Sequence, residues 1–192
     1  MIIQRVAAAA LLFVFGVSVQ IGARADAAAD ARKSIQAIYV KRDAAEHKKD
    51  INGSLISLAP NFVYVTKDGQ KGDAGLLKRQ VAPVIQFMQS VNARSEITKF
   101  TIKGKEATAI VKSHLEMLVL DPQTQAPQKI VGDVTSEDLW TKTGSGWLQK
   151  KMTTKSQTAA LNGKSIDAKI DLKGQPAKSG GSTKTKSAKK NG

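Results

Sequence analysis

The stretch EDLWTKTGSGWLQKKM, residues 137–152, concentrates the side chains best suited to chemistry, and Trp140 and Trp147 are the only tryptophans in the chain. Alternation on either side of Gly144-Ser145 predicts a β-hairpin that turns at that pair. In the simplest register Trp140 faces Gln149, Asp138 faces Lys151 and Ser136 faces Thr153, all on one side of the sheet. A carboxylate, an ammonium, an amide and two hydroxyls would then lie on an indole floor, a wall able to stack a ligand and hydrogen-bond it. Lys151 would hold Asp138 ionised, because a neighbouring cation favours the carboxylate, so Asp138 is expected to accept and not to donate.

Few other residues compete. The chain has no cysteine, which excludes disulfides and thiolate chemistry, and only His47 and His114 offer imidazoles, without metal-binding spacing. No metal and no cofactor is expected. His114, beside Lys112 and Glu116, lies on the strand face opposite Leu115 and Met117 and reads as a solvated outer-face residue. His47 falls near a helix end, where a cation suits the helix dipole. No Ser-His-Asp set, phosphate-cradling glycine loop or paired-carboxylate site can be assembled.

These residues need a scaffold, and the hydrophobic periods describe one. From Asp30 to Lys49, Ile35, Ile38, Arg42 and Ala45 recur at helical spacing with Tyr39 on the same stripe, which predicts a long amphipathic helix. Asp50 can cap a short second helix carrying Ile51, Leu55 and Leu58 on one face and closed by Pro60. A strand from Asn61 to Thr66 and the loop KDGQKGD lead to a third helix, capped by Asp73, with Leu77, Val81, Val84 and Met88 on its buried side and a bend at Pro83. After Arg94 the period becomes two. A hairpin turning at Gly104-Lys105 puts Phe100, Ile102, Ala107, Ala109, Val111, Leu115, Met117 and Val119 on one face, and a second, Ile130 to Lys142 and Gly146 to Thr158, carries the opening stretch. The fold class is therefore α+β: a curved antiparallel sheet wrapped on a long N-terminal helix and two shorter helices.

The ends read differently. Arg5, the apolar run Ala7 to Val19 and Ala23-Arg24-Ala25 form an export-signal pattern over residues 1–25, with cleavage after Ala25 and a periplasmic or secreted product. Formal net charge is +14, and loss of Arg5 and Arg24 with that segment leaves +12. Residues 173–192 hold six lysines and no acid, half of that excess, in a Gly/Ser/Pro-rich tail expected to be disordered. The tail could touch an anionic envelope surface; without arginine or aromatics it does not favour specific nucleic-acid binding. The single domain is thus placed at 26–160, with linker and tail at 161–192. Within the latter, Ser165 to Lys173 alternates with period two and is a candidate edge strand.

The helix-helix-strand-helix order, APNFVYV leading into the first strand and EDLWTKTGSGWLQKKM near the end resemble the nuclear transport factor two-like superfamily, in its SnoaL-like and ketosteroid isomerase-like members, over roughly Ala31 to Thr158. The resemblance implies a cone-shaped domain with a pocket in its mouth. It places Asp138 near the protonated acid that steroid isomerases use to donate to an oxyanion, and it places the general base at Thr66, with Asp68 two residues on. Asp68 precedes Gly69 and reads as a turn residue. The oxyanion tyrosine aligns nearer Arg42 than Tyr39, although Tyr39 could enter the cone from the adjacent turn. The pocket candidates are therefore Tyr39, Thr66, Ser136, Asp138, Trp140, Gln149, Lys151 and Thr153.

The functional expectation is an exported domain that binds a small organic ligand or a partner without catalysis. One alternative is an isomerase, cyclase or hydrolase acting through Asp138 with Tyr39 or Asp68. Another is an envelope interaction module using the lysine tail. Superfamily members commonly pair through the outer sheet face, where Leu139, Leu148 and Met152 are expected together, so a homodimer is expected too.

Overall fold

The computed structural model describes residues 26–166, so the expected signal segment, most of the candidate edge strand and the lysine tail lie outside the described residues. Helix α1 (26–47) buries Ile35 and Tyr39, as its stripe predicts. It closes at Lys49, whose φ is 59°, with the Asp50 amide donating to the Ala45 carbonyl and the Lys49 amide to that of Glu46, each at 2.8 Å. This paired closure satisfies carbonyls that the helix end would otherwise leave unpaired.

Asp50 caps α2 (Ile51–Leu55) by accepting from the Gly53 amide. The helix stops short of Pro60 because β1 (Leu58–Val65) takes up Leu58, which lies beside Gln149. Pro60 sits where the register between the two strands shifts, the kind of place where a missing amide is tolerated. A two-residue strand that the sequence did not signal, β2 (Lys71–Gly72), folds back on Tyr64 and Val65.

Helix α3 (Ala74–Ile85) is capped by Asp73 as expected and contains Pro83. Its expected buried side is not buried: Val81 is 44% and Val84 40% exposed, and Met88 belongs to the next strand. The helix lies over a cavity and not over packed core.

Four long strands follow: β3 (Met88–Lys103), β4 (Glu106–Leu120), β5 (Pro127–Thr143) and β6 (Gly146–Leu161), then β7 (Lys164–Ile166). The sheet order is β2-β1-β6-β5-β4-β3, with β7 also on β6. The pairing of β1 with β6 is parallel and the others are antiparallel, so the sheet is mixed, curved and unclosed. Strand β3 starts at Met88, earlier than the change of period after Arg94 suggests, and turns at Gly104-Lys105, where Gly104 has φ 60°. The core joins Ala31, Ile35 and Tyr39 of α1 to Ile97, Ala107, Ala109, Val111, Trp140 and Trp147 of the sheet.

Helix α1 also covers the free edge of β3. Arg32 donates to the Ile97 carbonyl (2.9 Å), and Gln36 donates to that of Ser95 (2.9 Å) while accepting from the Ile97 amide (3.0 Å). Asp43 accepts from the Ser95 amide (2.8 Å), and His47 Nε2 accepts from that of Ala93 (3.0 Å). Side chains at helical spacing thus take the place of a further strand along Ala93 to Ile97, which satisfies that part of the edge and blocks strand addition there.

Candidate functional site

The β5–β6 hairpin turns at Gly144-Ser145, and Trp140 faces Gln149 as expected. Past that pair the register shifts by one residue at Lys150: Leu139 faces Lys151, Asp138 faces Met152, Glu137 faces Thr153 and Ser136 faces Thr154. Because side chains alternate, one extra residue moves those beyond it to the other face. Lys151 is therefore exposed on the outer face and does not pair with Asp138, while Met152 lies on the side of Asp138 and leaves the expected outer patch of Leu139 and Leu148.

Asp138 (1% exposed) instead meets α1. Tyr39 Oη donates to Asp138 Oδ2 at 2.5 Å, and Trp140 Nε1 donates to Tyr39 Oη at 3.3 Å. The two rings meet edge to face, 5.4 Å between centroids and 79° between planes. Arg42, one turn along α1 from Ile38, carries its guanidinium 5.6 Å from the Tyr39 ring centre and donates from Nη1 to Gln149 Oε1 at 2.8 Å. The tyrosine that reaches the acid is thus Tyr39, and Arg42 stacks on it.

Burial raises the Asp138 carboxyl above its ordinary range, and the Tyr39 hydroxyl and the Arg42 charge act against that shift. Tyr39 is held well above its ordinary value, first by burial and then by the charge of Asp138, so it keeps its proton and remains the donor. Among the described residues, Asp138 Oδ1, Gln149 Nε2 and Ser57 Oγ are buried without hydrogen-bond partners, and the Ser57 carbonyl accepts from the Gln149 backbone amide at 2.8 Å. The network is tight on one side and unsatisfied around Gln149.

The remaining candidates lie elsewhere. Thr66 donates to Asp68 and accepts from the Gln70 amide (2.9 Å), closing a turn through Gly69 at φ 84°. Thr153 is half-buried between Glu137 and Val65 on neighbouring strands. His114 is exposed, 2.8 Å from Asp133, whose hydrogen bond is the first cause of its raised pKa.

A cavity of about 910 Å³ opens between α1, α2, α3 and the start of β3 with the end of β4. Its wall is chiefly apolar: Ile51 and Leu55 from α2, Leu76, Leu77, Val81, Val84 and Ile85 from α3, and Met88, Val91, Leu115 and Met117 from the sheet. None of the eight pocket candidates is among its lining residues, and Arg42 is the connection, since it lines the cavity and bonds Gln149. Glu46 lines it too. Sequence reasoning passed over Glu46 and took Arg42 as part of a stripe and as the position nearest the family's oxyanion tyrosine, not as a cavity residue; the available signal was a charged residue at each of two successive turns of an otherwise apolar face.

No family model and no curated protein matches the chain. Among solved structures, a protein described as a putative aromatic ring hydroxylase from Novosphingobium aromaticivorans is similar at 13% identity and a TM-score of 0.52, over 68% of this chain and 94% of its own. The Kfla4162 protein from Kribbella flavida gives the same coverage and TM-score at 12% identity. A ketosteroid isomerase-like protein from Erwinia carotovora atroseptica is similar at 15% identity, over 64% of this chain and 93% of its own, with a TM-score of 0.49. Identities this low speak to the fold alone.

Proposed function

We propose, from the nuclear transport factor two-like fold that the chain adopts, that it is a binding domain holding a small, largely apolar organic molecule in the cavity beneath α3, without chemistry at Asp138. Helix α3 carries the reading. It directs five apolar side chains at the cavity and buries none of its residues. Apolar surface left facing water forgoes about 25 cal/mol per Å², so an apolar occupant would stabilise the helix. The volume of about 910 Å³ falls within the roughly 300–1,000 Å³ of small-molecule sites.

Asp138 supports a non-catalytic role because it is set behind Arg42, off the cavity wall, with one oxygen already held by Tyr39. A group that transfers a proton must come within hydrogen-bond reach of its substrate. The enzyme reading is favoured by one observation: a carboxyl raised by burial beside a tyrosine is the combination that lets an acid donate near neutral pH. Opposing it, the Arg42 charge favours the carboxylate. Filling the cavity with Leu77→Trp tests the cavity reading. Uptake of the apolar fluorophore Nile red is expected to be lost in this variant, and uptake equal to that of the unmodified protein would contradict the cavity reading.

A further inference from the structure

We propose that Arg42 and Glu46 form a head-group site on the cavity wall that selects an apolar ligand ending in an uncharged group able both to accept and to donate a hydrogen bond, such as a primary alcohol or amide. The inference rests on the cavity reading and narrows it. The two residues stand four apart on α1 and both line the cavity, as side chains at that spacing share a helix face. No hydrogen bond or ion pair joins them.

Arg42 is fixed by Gln149 and by stacking over Tyr39, yet that one hydrogen bond occupies one of the five N–H donors a guanidinium carries. Among the described residues none donates a hydrogen bond to Glu46, which is half-buried. Burial raises its carboxyl above the ordinary value, against the pull of Arg42. Two other charged residues of the wall are engaged: Lys49 donates to the Met88 carbonyl at 2.7 Å, and Asp50 accepts from the Gly53 amide at 2.9 Å. Arg79 is exposed. A fixed donor and a neighbouring acceptor with no partner thus stand together on an apolar wall.

Their charges decide which head group fits. An anion is drawn to Arg42 and repelled by Glu46, and a cation meets the reverse. A hydroxyl or amide accepts from Arg42 and donates to Glu46 with no like-charge contact, and it still finds partners if Glu46 is protonated.

The test compares 1-decanol, decanoate and decylamine, which share a chain and differ in head group, by displacement of Nile red at neutral pH. Decanol is expected to bind about tenfold tighter than either charged analogue, the scale of one charge-assisted hydrogen bond. Glu46→Gln should move the preference toward decanoate, and Arg42→Met toward decylamine. Should Arg42→Met misfold, Glu46→Gln still decides, because no hydrogen bond of the fold is lost with it. Equal binding of all three compounds, or a Glu46→Gln variant with unchanged ratios, would overturn the head-group site while leaving the cavity reading intact. Failure of all three to displace the dye, or failure of the dye to bind, would overturn both.

Discussion

Asp138 holds its proton more tightly in the folded chain than in the unfolded one, and the direction of that shift fixes a dependence on pH. Its pKa is raised above the ordinary 3.8, so the associated stabilisation is fully present below 3.8 and is lost as pH rises through the folded value. Asp138→Asn carries no charge at any pH and should flatten that slope in urea unfolding as pH rises above about 4. An unchanged slope would mean that Asp138 does not titrate differently on folding. Tyr39→Phe removes the donor to Oδ2 and should cost about 1–3 kcal/mol, with the larger loss on the high-pH side of the Asp138 titration, where the carboxylate most needs its partner. Lys151→Met, on the outer face, should leave the Asp138 titration in place by carboxyl-carbon NMR. An upward shift in that variant would restore the direct pair that the simple hairpin register suggested.

At the scale of elements, the order of the helices and the longer strands, both hairpin turns and the caps at Asp50 and Asp73 were legible because each depends on neighbours in sequence. The shift at Lys150 was not, since nothing in Leu148-Gln149-Lys150-Lys151 marks an extra residue, and it is this shift that separates Lys151 from Asp138. The cavity was equally hidden, because its wall comes from five elements and the apolar side of α3 reads the same over a cavity as over a core. Tyr39 and Asp138 were both named, but their contact spans 99 positions. The covering of β3 by α1 has its own consequence. Gln36→Ala should release the Ile97 amide to faster hydrogen exchange and cost about 1 kcal/mol, whereas unchanged exchange there would show that the edge does not depend on Gln36.

For the whole molecule, export and assembly remain proposals that solution measurements decide. Intact mass of the exported protein should place its first residue at Asp26, and retention of residues 1–25 in a membrane fraction would indicate an anchor. Leu139 and Leu148 stay half-buried on the outer face without Met152, so the expected homodimer has a smaller apolar patch than the simple register offered; a monomer by sedimentation at about tens of micromolar would rule it out at that strength. The most direct test of the ligand-filled cavity is native mass spectrometry of the protein isolated from the cells that make it. A complex with one small molecule is expected, released on denaturation and absent from Leu77→Trp. Protein that arrives empty, with the same melting temperature before and after exhaustive delipidation, would contradict it.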